Sequence, residues 1–196
     1  MADQEALTGD ISIQNKGLGD VTANTVSIKQ GGAHDVKATT VEITMGGANQ
    51  VEAESVILRQ GGAKSVRGDD VVIRQGGAVQ IKADTIQATQ AGILFNQSAQ
   101  TTLTASQVGA VLAEEVTLDQ GAASVVISRG ETALNQGGAV VLIAPKVTAR
   151  NSGAVFLIAG KVEGEVTALF GPRAAVAFGA AFGVVMGLVL RLTRRR

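Results

Sequence analysis

The chain has no cysteine, tryptophan or tyrosine, and only two prolines and five phenylalanines in 196 residues. Without cysteine there are no disulfides and no thiolate metal sites. With aromatics at 3%, any core must be built from Val, Ile, Leu and Ala. The single histidine, His34, leaves imidazole-based catalysis one candidate and no evident nucleophile beside it. Neither a Walker A sequence nor a G-x-G-x-x-G after a strand occurs. No catalytic, cofactor-binding or metal site is expected, and the chain reads as a non-enzyme.

Charge is balanced overall but not along the chain. All 17 acidic residues lie at or before Glu165, whereas five of the 17 basic residues lie at or after Arg173. A mildly acidic body followed by a basic tail argues against nucleic-acid binding, which needs clustered Lys and Arg to neutralise phosphates.

What is present is a repeat. Val51, Ala53, Val56, Leu58, Gln60 and Ala63 recur fifteen residues later as Val66, Gly68, Val71, Ile73, Gln75 and Ala78. From Ala6 to about Gly171 this period fits eleven units with one inserted residue near Gly130–Glu131. Units this small cannot bury a face alone and must stack on their neighbours. Each unit, V-x-A-x-x, V-x-I-x-Q, G-G-A-x-x, is three pentads in which two alternate residues point inward before a bend. The expected architecture is an all-β solenoid: a parallel β-helix of about eleven roughly triangular 15-residue coils over residues 1–171. A separate C-terminal segment follows over residues 172–196.

The corner after the second pentad carries a polar column that includes Gln30, Gln60, Gln75, Gln90, Gln120 and Gln136, interrupted by Met45 and Ala105. Stacked amides of this kind hydrogen-bond along the axis and act structurally. The Gly-Gly that follows is expected to supply the φ freedom of the bend. One unit departs from the pattern, with Asn96, Ser98 and Thr101 at inward positions. It reads as the weakest rung, and as a site for a bulge, bend or hinge.

Residues just after each GGA change in one direction. They pass from His34/Asp35 through Asn49/Gln50 and Lys64/Ser65 to Leu94/Phe95, Val140/Val141 and Val155/Phe156. An exposed aliphatic edge on a rod is expected to meet other copies, another segment or lipid; the alternative is that these bends tuck inward. Glu54, Asp69, Asp70, Asp84, Glu114 and Glu115 gather at another corner and read as a solvated edge, not a calcium site.

The tail changes character at Gly171–Pro172. Ala174–Leu190 holds 17 residues without a charge, which as a helix is about 26 Å long, near the lower limit for spanning a bilayer. Arg173 precedes it, and Arg191, Arg194, Arg195 and Arg196 follow. It is expected to be a single-pass transmembrane helix with these charges at the interfaces. Ala175, Gly179, Gly183 and Gly187 fall every four residues, the small-xxx-small spacing by which membrane helices associate. The expected partners are therefore the lipid bilayer and further copies of the chain, with no small-molecule substrate. The opening MADQEALTGD lacks an apolar signal region, so the body is expected on the cytoplasmic side, as in a tail-anchored protein. The excess of arginine after the helix argues the other way by the positive-inside rule.

The pattern V-x-A-x-x-V-x-I-x-Q-G-G-A resembles that of small bacterial β-solenoids, and loosely the bactofilins, polymer-forming cytoskeletal proteins, over about residues 11–168. The glutamine corner and the C-terminal helix depart from the bactofilin plan. The resemblance implies a self-associating scaffold at a membrane surface and transfers no site. Two other functions stay open at this stage: an oligomeric membrane pore or transport component with a β-helical collar, and an adhesin or binding rod.

Overall fold

A computed structural model describes residues 9–170, with side chains described to residue 166. It is an all-β parallel solenoid of about nine turns. The smaller count than eleven has a simple cause. Ten residues with left-handed φ, from Asn15 to Asn151, mark the same corner of successive coils and so bound nine complete turns. The first coil is partial, and the last has no such corner; its left-handed residue is Gly164, φ +92°, within the strand Gly138–Phe170.

Parallel pairing keeps a fifteen-residue register except across the inserted residue, where Val116 pairs with Thr132 and Ala122 with Gly138. Val56 pairs with Val71, Val71 with Ile86, Ile86 with Thr101 and Thr101 with Val116. Every coil thus offers its backbone N–H and C=O groups to the coils above and below, which is how strands as short as Asp70–Arg74 persist.

The coil Val66–Gln80 illustrates the plan. Its first wall turns Val66 inward and Arg67 outward; its second, Asp70–Arg74, turns Val71 and Ile73 inward; its third turns Ala78 inward and Gly77 outward. Stacked on their equivalents, these residues form one continuous core in which Val56, Leu58, Val66, Ile73, Ile81 and Ile86 are fully buried. Each such side chain contributes about 1.5–3 kcal/mol relative to exposure.

The corner after the second wall corrects one expectation. The left-handed residue is not a glycine of the Gly-Gly pair but the polar residue before it: Gln60, Gln75 and Gln90 have φ of 51°, 54° and 52°. The first glycine serves close approach instead. A Cβ on Gly46, Gly61 or Gly76 would press into the carbonyl oxygen of the same position one coil earlier. Where a Cβ is present, in Ala91, Ser106 and Ser152, it is buried, and the two serine hydroxyls donate to the carbonyls of Thr104 and Arg150.

The polar coil also differs from expectation. Asn96 pairs with Ile81 below and Val111 above without a break, so there is no bulge. Its side chain is fully buried and its Nδ2 donates to Thr101 Oγ1 at 3.0 Å, with Ser98 Oγ on the same hydroxyl. A polar cluster replaces the apolar contacts and keeps the register. The irregularity in the stack lies elsewhere, at the inserted residue. Arg129–Gly130 bow out at a corner, and Gln120 is followed sixteen positions later by its partner Gln136.

Candidate interaction surface

The amide column forms two hydrogen-bonded runs. Gln60 Nε2 donates to Gln75 Oε1 at 3.2 Å, Gln75 to Gln90 at 3.1 Å, and Gln120 to Gln136 at 3.2 Å. Met45 separates Gln30 from the first run, and Ala105 separates the first run from the second. These exposed amides face one another along the axis, so their chemistry is spent within the column.

His34 stands at the polar end of the edge between the third and first walls. Its Nδ1 lies 3.6 Å from Asp20 and 3.3 Å from Asp35, and the imidazole is largely exposed. Their three ligating atoms lie within 4.8 Å of one another. Sequence reasoning missed this grouping because Asp20 is one period away, and a neighbour along the axis is visible only once the coils are stacked. An exposed acidic group of this kind is common without an ion. At the acidic corner, Glu54, Asp69 and Asp84 point to solvent. Lys37 pairs with Glu52 at 3.3 Å and Arg59 with Glu42 at 3.5 Å on the walls.

The apolar edge is brought together in space. Leu94 is 64% exposed, Val140 48% and Phe156 39%, while Phe95, Val141 and Val155 are half-buried beside them. Leu94 and Val140, the leading residues of their bends, stand outward, whereas in the last bend the second residue, Phe156, does so; together they form a ridge.

Two walls flank that ridge, and neither was read from the sequence as part of the surface. On the first wall the outward column runs Lys37, Glu52, Arg67, Lys82, Gln97, then Leu112, Ile127, Ile143 and Ile158. Its second half is a ladder of branched aliphatics, with Leu112, Ile127 and Ile158 exposed. The signal was present, since every fifteenth residue changes from charged to apolar along the chain, but the column was read outward only in its charged half, Lys37, Arg67 and Lys82. On the third wall the outward column is Gly32, Gly47, Gly62, Gly77, Gly92, Gln107, Ala122, Gly138 and Gly153, almost without side chains. Shallow depressions of about 560 and 440 Å³ lie on it beside Leu94 and Val140.

The tail residues Arg173, Ala175, Gly179, Gly183, Gly187, Arg191, Arg194, Arg195 and Arg196, and the expected transmembrane helix, lie outside the described residues. Among the described residues no helix is long and apolar enough to cross a membrane.

Compared with known proteins, the chain matches no family model, and no curated protein or solved structure is significantly similar to it. The structure supports a β-helix repeat protein; the bactofilin resemblance gains no further support.

Proposed function

We propose that this protein is a non-enzymatic, membrane-anchored β-solenoid that self-assembles into a structural scaffold or surface element. One observation carries the reading. Exposed apolar side chains are concentrated in the C-terminal half of the rod, at Leu112, Ile127, Val140, Phe156 and Ile158, towards the end of the sequence that continues into the uncharged stretch Ala174–Leu190. Water-exposed aliphatics on one end of a rod are a liability unless covered. Anchoring many copies by one end brings those ends together. A bilayer at Ala174–Leu190 and other copies at the ridge are the partners, with Gly179, Gly183 and Gly187 as the close-approach face of the tail.

The experiment is to express the full chain, separate membranes from soluble protein, apply protease from each side, and size the detergent-extracted protein with and without Gly183→Leu. Membrane-bound protein in a discrete oligomer that the substitution weakens supports the reading. Protein recovered in the soluble fraction overturns the anchor. A membrane-bound monomer overturns the scaffold.

A further inference from the structure

We propose that the first wall of one copy docks on the third wall of a second copy, parallel and face to back, so that its aliphatic ladder covers the neighbour's bare glycine wall. The inference deepens the self-assembly reading above and rests on it for the parallel orientation.

Shape is the first argument. Leu112, Ile127, Ile143 and Ile158 project from one side of the ridge; at the height of Leu112 the other side carries Gln107, and at the next three heights Ala122, Gly138 and Gly153 leave it almost flat. A ladder of branched side chains packs more closely on a wall without side chains than on a second ladder, because apolar contact needs surfaces that leave no gap.

Charge on the first wall disfavours the two-fold alternative. In a parallel two-fold pair of first walls, Lys37, Arg67 and Lys82 would each meet their own copy, and like charges placed opposite one another are unfavourable. Face to back, the same residues lie over Gly32, Gly62 and Gly77, which carry no charge and leave room for long side chains. Lipid is a poorer occupant of the ladder. Exposed Lys161 and its ion-pair partner Glu163 stand in the last coil, between Ile158 and the tail, and would have to enter the bilayer first.

Geometry then sets the assembly. Each coil is built of three five-residue segments; a roughly triangular section of this kind makes each corner a wedge of about 60°, so a heterologous contact that repeats with the same turn closes a ring of about six copies. The Leu94–Val140 ridge points to its centre.

The chain is free of cysteine, so disulfide cross-linking can map this contact in the full-length, detergent-extracted protein. Ala122→Cys and Ile127→Cys chains are made separately and together. Oxidation is expected to link Ala122→Cys chains to Ile127→Cys chains when mixed and co-assembled, and to leave either alone monomeric on a denaturing gel. A chain carrying both substitutions gives a ladder that ends near six. Self-linking of Ile127→Cys, a ladder that stops at two, or no linkage in the mixture overturns the face-to-back contact. Fractionation of the same samples separates the two readings. Cross-linked but soluble protein removes the anchor and keeps the contact, whereas membrane-bound protein without cross-links removes the contact and keeps the anchor.

Discussion

Gln75 donates its side-chain amide to Gln90 across one coil at 3.1 Å while both backbones hold a left-handed φ, 54° and 52°. A residue with a Cβ in that region costs about 1–2 kcal/mol. An intramolecular hydrogen bond contributes about 0.5–1.5 kcal/mol, so the amide ladder offsets much of the strain of its own corner. Ala105 has the same strain, at φ 48°, and no ladder bond. Ala105→Gln joins Gln90 to Gln120 and is expected to stabilise the rod by about 1 kcal/mol, which for a protein of this size raises the melting temperature by about 2–4 °C. Calorimetry that shows no rise, or a fall, would mean that the column does not act as a continuous ladder.

Asn96 is a second local test. Its side chain is fully buried, and among the described residues its Oδ1 is the buried side-chain polar atom without a hydrogen-bond partner. A buried acceptor left unpaired costs about 1–3 kcal/mol. Asn96→Val places a branched aliphatic between Ile81 and Val111, where the column is otherwise apolar. Thr101 keeps its contact with Ser98. Denaturant unfolding is expected to show a gain of about 1–2 kcal/mol. A loss would indicate that the polar cluster stabilises this coil.

Gly61, the first glycine of its corner, and Gly92, which follows Ala91 at the second position of another, should respond differently to the same methyl group. At Gly61 a Cβ meets the Gly46 carbonyl oxygen, whereas at Gly92 nothing lies within 4 Å of it. Gly61→Ala is expected to cost about 1–3 kcal/mol by overpacking. Gly92→Ala is expected to be neutral or to stabilise by about 0.4–1 kcal/mol by restricting the unfolded chain. Equal effects at the two sites would show that close approach is not what keeps the first glycine.

The solenoid was legible because its code is redundant. Val56, Val71 and Ile86 announce the same inward position three times, and so does each of the other inward columns. Conformation within the repeat was less legible. Period alone cannot say which residue of Q-G-G takes the left-handed φ, and glycine's intrinsic freedom pointed to the wrong one. The chemistry of neighbours was the least legible part. Asp20 and His34, or Ile127 and Ile143, are remote in sequence and adjacent in space because the rise per coil is that of one strand spacing, about 4.8 Å. The ridge at Leu94 and Val140 was read from the bends, while the wall beside it needed the register between coils.

Glu131 gives a prediction that concerns charge. Its carboxylate accepts a hydrogen bond from Thr148 Oγ1 at 2.7 Å and pairs with Lys146 Nζ at 3.0 Å. The Thr148 hydroxyl first, and Lys146 second, hold its pKa below the ordinary 4.5, and the same pairing raises Lys146 above 10.5. The sign for Glu131 follows: a lowered folded pKa stabilises the native state above 4.5, and that contribution is lost as pH falls through the lowered value. For Lys146 the contribution is complete below 10.5 and is lost as pH rises through the raised value. Both groups are on the surface, so the effect is best read from titration. Thr148→Val is expected to move the Glu131 carboxyl resonance midpoint upward, towards 4.5, by more than Lys146→Met does, and added salt should reduce the Lys146 contribution more than that of the threonine. An unchanged midpoint in Thr148→Val would assign the shift to charge alone.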